Sequence, residues 1–349
     1  ECYFAVPMLG ATLMKTNIRL SPEQIAYTIE HSGAQTLLVN IDFLPLLQQI
    51  RGQLTQVRNI VCLRDEGGVP PEMGASVEYE ELLAGGDPTH EFPEFDENTR
   101  ATTFYTTGTT GAPKGVYFSH RQLVLHALTV LATVSQASEN GQFSRNDVYM
   151  PLTPMFHVHA WGLPYVATTL GVKQVYPGRY VPDQLLELVE KEKVTFSHCV
   201  PTILHMLLKH PHAQRMDLSG WKLIIGGAAM SRALCLEALG RGIDVFTGYG
   251  MSETCPILTI AHLKPEMLAL DEERQAELAG LEAERAAIIV RGLARVADPQ
   301  LEAVPPAEPG ARAPVAEGHV AATQAEAVAA AQALQSAAWV VKAQIHAGR

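Results

Sequence analysis

The sequence predicts an α/β fold of mostly parallel sheets flanked by helices on both faces. Three observations carry that reading. Strand-like and helix-like segments alternate from residue 21 to about residue 255, the pattern of parallel strands joined by crossover helices. Ser or Pro opens the helical segments near residues 21, 182, 201 and 231, as expected of residues that suit a first helical turn. The chain has 349 residues, 47% of them hydrophobic, enough for a large core in about two domains or one large unit. No internal repeat at a fixed period competes with this reading.

The elements follow in order. Ser21-Pro22-Glu23-Gln24 reads as a helix start, with Ser21 capping free N–H groups and Gln24 reaching back to it. Ile25 and Ile29 give that helix its apolar face, and Gly33 ends it. Thr36–Val39 is expected as a buried strand, followed by strands at Val57–Leu63 and Ala101–Thr107. Ser119 is expected to cap a long amphipathic helix with Leu123, Ala127, Val130, Leu131 and Val134 on one side. Further strands are expected at Val148–Met150, Val172–Tyr176, Val194–Cys199, Leu223–Ile225 and Val245–Thr247. In such folds ligands bind where loops leave the carboxyl ends of strands.

Composition excludes several functions. Lys and Arg number 26 against 37 Asp and Glu, a formal charge of −11, so no nucleic-acid partner is expected. Aromatic residues at 7% are too few for base-stacking platforms. Five scattered cysteines without a C-x-x-C pair suggest neither a zinc knuckle nor a disulfide framework. A reducing, cytoplasmic setting is therefore expected. No run approaches the roughly 18 apolar residues of a transmembrane segment. Glu1 leads straight into an apolar run, and composition shifts after about Pro265 toward Ala and Pro. The expected organisation is residues 1–265 as one part of a larger domain and 266–349 as a diverged Ala/Pro-rich tail.

The most informative stretch runs from Phe104 through Thr106-Thr107-Gly108-Thr109-Thr110-Gly111-Ala112-Pro113-Lys114-Gly115. Its glycines let backbone N–H groups converge on an anion, its threonines add hydroxyl donors, and Lys114 adds a mobile positive charge. A polyphosphate needs that combination. The spacing is not that of a Walker A loop, in which Gly-Lys is followed by Ser or Thr. Pro154-Met155-Phe156-His157-Val158-His159 places two histidines near one another, but no Cys or acidic cluster completes a zinc site. His159 stays open between a structural place on the rim and a role.

Tyr105–Val116 resembles the phosphate loop of the adenylate-forming superfamily of acyl-CoA synthetases, adenylation domains and firefly-type luciferases. Three further motifs agree in order and spacing: Pro154–His157, Gly226-Gly227-Ala228-Ala229 and Thr247-Gly248-Tyr249-Gly250-Met251-Ser252-Glu253-Thr254. The wording of Tyr149–Tyr180 and Val194–His205 is most similar to the medium-chain fatty acyl-CoA synthetases. The resemblance implies the large N-terminal domain of that fold, incomplete at both ends. It implies activation of a medium- or long-chain fatty carboxylate with ATP and Mg²⁺ to an acyl-adenylate, then transfer to CoA. A short thioether or aryl acid, or nucleotide binding without turnover, remains an alternative.

By resemblance Thr106, Thr107, Gly108, Thr109, Thr110, Gly111 and Lys114 hold the phosphates. Glu253 holds Mg²⁺ through an oxygen ligand, Thr254 contacts the α-phosphate, and Tyr249 stacks on adenine between Gly248 and Gly250. Gly227 and Ala228 lie beside the nucleotide. Thr107, Lys114, His157 and Glu253 are the catalytic candidates, and Phe156, Trp161, Gly162 and Gly226 line the acyl pocket. The partners implied are the carboxylate, ATP and CoA, and a homodimer is left open. The family's Thr-Gly-Asp ribose element is not found after Glu253, and Lys342, the only lysine after Lys264, does not match the catalytic lysine of its C-terminal domain. Turnover is therefore expected to be impaired.

Overall fold

A computed structural model of the chain describes residues 1–64, 70, 77–106, 112–136 and 141–261. It divides into two compact units, 1–121 and 122–349, of which the second is described as far as Ala261.

The first unit opens with α1 (Cys2–Met8), formed by the apolar run at the start of the chain, then β1 (Leu13–Lys15) and α2 (Pro22–Ser32). The expected capping box is present: the Gln24 N–H donates to Ser21 Oγ at 3.3 Å, and the Ser21 N–H donates to Gln24 Oε1 at 3.2 Å. Gly33 closes the helix with φ 73°, a left-handed end that only glycine adopts without strain. Ile25, Ala26 and Ile29 bury the inner face.

β2 (Thr36–Asn40), α3 (Leu44–Ile50), β3 (Asn59–Leu63), β4 (Val77–Glu78) and α4 (Tyr79–Ala84) follow, with the strands forming a parallel sheet in the order β2-β3-β4. The expectation of a buried strand at Thr36–Val39 is corrected. β2 lies at the sheet edge, its residues alternate between exposed and half-buried, and burial belongs to the central β3. The strand expected from Val57 begins at Asn59. β5 (Arg100–Thr106) and β6 (Lys114–Ser119) complete the unit. β5 pairs in parallel with β1 and antiparallel with β6, bringing Thr106 opposite Lys114.

In the second unit α5 (His120–Ser135, beginning at the unit boundary) precedes β7 (Val148–Pro151), α6 (Leu163–Leu170) and β8 (Lys173–Gln174). α7 (Pro182–Glu192), β9 (Phe196–Cys199), α8 (Pro201–Leu208), β10 (Lys222–Ile225) and α9 (Arg232–Leu239) follow. β11 (Asp244–Gly250) and β12 (Ile257–Ile260) end the described chain. One sheet runs in the order β12-β11-β10-β9-β7-β8, parallel throughout except for β12.

Strand side chains alternate between its two faces, and both faces are covered. Met150, Leu223, Ile225 and Val245 pack with Leu185 and Leu186 of α7, Leu204 and Leu207 of α8, and Leu234 of α9. Tyr149, Phe196, Ile224 and Phe246 pack on the other side with Ala127, Val130 and Val134 of α5 and Leu163 and Val166 of α6. Each face removes apolar surface from water separately, so helices are needed on both. The strand expected at Val172–Tyr176 shrinks to β8, whose ladder pairs Lys173 and Gln174 with β7 and ends where the Val175 N–H donates to the Tyr149 carbonyl oxygen.

Candidate active site

Three of the sequence motifs in the second unit sit on loops that leave the carboxyl ends of β7, β10 and β11. Strand order places these ends side by side with β9 between β7 and β10. The amino ends carry a different arrangement: Lys222 Nζ lies 2.5 Å from Asp147 Oδ1, and Thr195 Oγ1 donates to the same oxygen at 2.7 Å. That ionic group ties β10, β9 and the chain before β7 together at the far end.

Beyond β7, Phe156 is half-buried and His157 is exposed, while Val158 through Gly162 are buried. Val158, His159, Ala160 and Trp161 have φ between 47° and 60°, and Gly162 has φ 76°. A run of left-handed residues costs roughly 1–2 kcal/mol at each non-glycine position, so the surroundings must hold it. His126 of α5 presses on the turn: a Cβ on Gly162 would stand 3.0 Å from its ring atoms. The same imidazole is hydrogen-bonded to the backbone at Ile257. Burial pushes its pKa down to about 4, offset in part by that bond. His159 is fully buried beside Tyr165, with ring centroids 5.9 Å apart, which removes a place on the rim from the two alternatives left open for it. Its left-handed backbone carries it inward.

Trp161 reaches across to the loop after β10. A Cβ on Gly226 would lie 3.2 Å from the indole and 2.9 Å from the Gly248 carbonyl oxygen, and one on Gly227 would lie 3.1 Å from Val200 Cγ1. These glycines let two backbones and an indole approach closely. Gly226 is buried, whereas Gly227 and Ala228 are exposed. On β11, Gly248 and Tyr249 are half-buried and Gly250 is exposed. A Cβ on Gly250 would collide with the Pro256 carbonyl, because the chain turns back through a cis Cys255–Pro256 bond into β12.

Glu253 is exposed on this turn. Thr254 is buried, and its hydroxyl is committed to the turn: it accepts from the Met251 N–H at 3.1 Å and lies within bonding distance of the Met251 and Pro256 carbonyl oxygens. The phosphate contact expected of Thr254 requires that hydroxyl to exchange a bond.

In the first unit, Thr106 ends β5 and Lys114 begins β6, exposed. Thr106 Oγ1 lies 3.5 Å from the Lys114 carbonyl oxygen. Thr107, Gly108, Thr109, Thr110 and Gly111 lie outside the described residues, as does the boundary expected at residue 265.

Among the described residues no three His, Cys, Asp or Glu side chains gather to hold a metal ion. A lone exposed carboxylate such as Glu253 fits a Mg²⁺ ion carried largely by phosphate oxygens and water, rather than a resident all-protein cation site. No described helix is long and apolar enough to cross a membrane. Sequence reasoning missed His126, Tyr149 and His198. Their signal was weak, since each stands in an apolar run that reads as plain core.

Residues 1–311 match the family described as AMP-binding enzyme. The chain is 40% identical over 281 residues to a long-chain-fatty-acid–CoA ligase of Thermus thermophilus, covering 80% of this chain and 49% of that protein. It is 38% identical to a 3-methylmercaptopropionyl-CoA ligase of Ruegeria pomeroyi, covering 80% and 51%. It is 34% identical to a medium-chain-fatty-acid–CoA ligase of Ectopseudomonas oleovorans, covering 74% and 47%. The chain thus spans about half the length of the curated relatives it matches. Among solved structures, an anthranilate CoA ligase in complex with anthranoyl-AMP superposes with a TM-score of 0.65 at 24% identity, over 74% of this chain and 49% of the other. A long-chain-fatty-acid-CoA ligase from Archaeoglobus fulgidus does so at 0.63 and 24%, over 74% and 51%. These structural likenesses establish the fold.

Proposed function

The chain belongs to the AMP-binding enzyme family, and on that premise we propose that it serves the ATP-dependent activation of a fatty carboxylate for transfer to CoA. The carrying observation is the convergence beyond β7, β10 and β11, where Gly226 has no room for a side chain between the Gly248 carbonyl and the Trp161 indole. The carboxyl ends of parallel strands are where such folds take a nucleotide beside an apolar chain.

A carboxylate oxygen bonds to the α-phosphorus of ATP as the bond to the pyrophosphate oxygen breaks. The thiol of CoA then gives up its proton and its sulfur bonds to the acyl carbon as the bond to the AMP oxygen breaks. Negative charge spreads over the oxygens around the α-phosphorus, so the protein contributes by position and by electrostatics. In this reading Thr106, Lys114 and the segment 107–111 hold the phosphates. The backbone at Gly227 and Ala228 and the ring of Tyr249 bound the adenine, with Gly248 and Gly250 giving the close backbone approach. Glu253 supplies the oxygen ligand for Mg²⁺, whose charge offsets that of the phosphates when bound. Thr254 holds the turn that presents Glu253. Phe156, Trp161, Gly162 and Gly226 line the acyl pocket, and exposed His157 stands at its entry.

Medium- and long-chain fatty acids are the proposed substrates. A thioether acid belongs in the same trial, since two relatives carry such a name. Carboxylate-dependent ATP–pyrophosphate exchange on the purified chain tests the reading. Exchange above a Glu253→Ala control supports it, and the preferred acid identifies the pocket. ATP binding without exchange by a folded chain leaves a nucleotide-binding remnant in its place.

A further inference from the structure

Behind the Trp161 indole lies a buried polar pair that the proposed chemistry does not use. Tyr149 on β7 and His198 on β9 are both 0% exposed. Tyr149 stands opposite Phe196, so it shares a sheet face with Phe196 and, two residues on, with His198. The Tyr149 hydroxyl is 2.8 Å from His198 Nε2, and the two rings stack at 5.8 Å and 10°. The imidazole also meets Trp161, with ring centroids 5.0 Å apart. The far edge of the indole meets Gly226 and Gly227.

Trp161 is therefore wedged between an imidazole and two glycines. His198 Nδ1 has no hydrogen-bond partner among the described residues. An aliphatic side chain would fill this space without burying an unmet nitrogen, so packing alone does not account for an imidazole. What the imidazole adds is a fixed ring plane. The Tyr149 hydroxyl holds Nε2, which sets the rotation of the ring on which the indole rests.

We propose that Tyr149 and His198 are positioning residues for acyl specificity: by fixing the Trp161 indole they set the length of aliphatic chain accepted beside Gly226. The proposal rests on the reading that Trp161 and Gly226 line the acyl pocket. Neither residue touches the reacting atoms, and both act through Trp161. Where the indole meets the loop after β10 it meets glycines, so the imidazole is one of the side chains that set its position.

The test uses the whole chain and a ladder of straight-chain acids from butyrate to palmitate. It is read by ATP–pyrophosphate exchange and by the acid-dependent emission of Trp161, isolated by difference from Trp161→Phe. His198→Ala is expected to shift preference along the ladder, changing the ratio of kcat/KM between the longest and shortest acids about tenfold. The KM for ATP stays unchanged, and Trp161 emission without acid moves as well. Tyr149→Phe, which keeps the ring and is the milder change, shifts preference in the same direction by less. His198→Gln, whose amide can meet the Tyr149 hydroxyl but offers no ring plane, restores the wild-type preference only in part. Wild-type response with variants that weaken all acids in equal proportion, or leave the ladder unmoved, overturns the proposal alone. Wild-type protein that answers to no acid in either readout overturns the acyl-pocket reading and the proposal with it.

Discussion

Two kinds of residue among the candidates separate by experiment. Gly226 and Gly250 are needed for space, because a methyl group on either meets a backbone carbonyl. Gly226→Ala is expected to destabilise the second unit by about 2 kcal/mol, and Gly250→Ala by more. Urea unfolding followed by Trp fluorescence checks both. Lys114 and Glu253 are exposed, so their alanine variants should leave the unfolding midpoint within about 0.5 kcal/mol of wild type. Each should weaken nucleotide binding roughly tenfold, a loss of about 1.4 kcal/mol, read by calorimetric titration. At this scale the glycines were legible because only residues without a Cβ permit such approach. The pairing of Tyr149 with His198 was not, because it depends on strand order, which no local pattern encodes.

Elements differ in how much of their boundary is written locally. α2 carries its start in Ser21 and Gln24 and its end in Gly33, and α7, α8 and α9 begin at Pro182, Pro201 and after Ser231. Ser21→Ala removes an acceptor for the Gln24 N–H and is expected to cost about 1 kcal/mol, visible as a lower urea midpoint for the first unit. β2 was misread because Leu37, Leu38 and Val39 are apolar wherever they sit, while an edge strand covers only one face. α6 was missed since its first turn follows Gly162 directly. The left-handed turn before it gave no warning. Val158, His159, Ala160 and Trp161 do not favour positive φ, and the turn is held by tertiary packing against His126 and His198. Tertiary packing is the term a sequence pattern omits.

The whole molecule inherits a pH dependence from those imidazoles. Burial pushes the pKa of His126 down to about 4 and that of His198 to about 3, against 6.5 when the chain is unfolded. Between these values the unfolded chain binds protons that the folded one refuses, so stability is full above about pH 7 and declines as pH falls toward 4. The combined loss is of the order of several kcal/mol by about pH 4. Thermal melting of the second unit from pH 8 to pH 4 should show a steady decrease, and His126→Phe should flatten it in part. A flat profile in wild type would contradict the buried, neutral state of both rings. At this scale the parallel, doubly covered sheet was legible from the alternation of segments, whereas the antiparallel β12 was not, since Ile257–Ile260 reads like any other apolar strand. The opposite border of that sheet has its own consequence. β8 contributes only Lys173 and Gln174 to the ladder, and Lys173 projects an exposed ammonium held 2.6 Å from Glu192. So brief and charged a border gives a stray polypeptide little to hydrogen-bond with, which protects the sheet from growing, strand by strand, into an aggregate on that side.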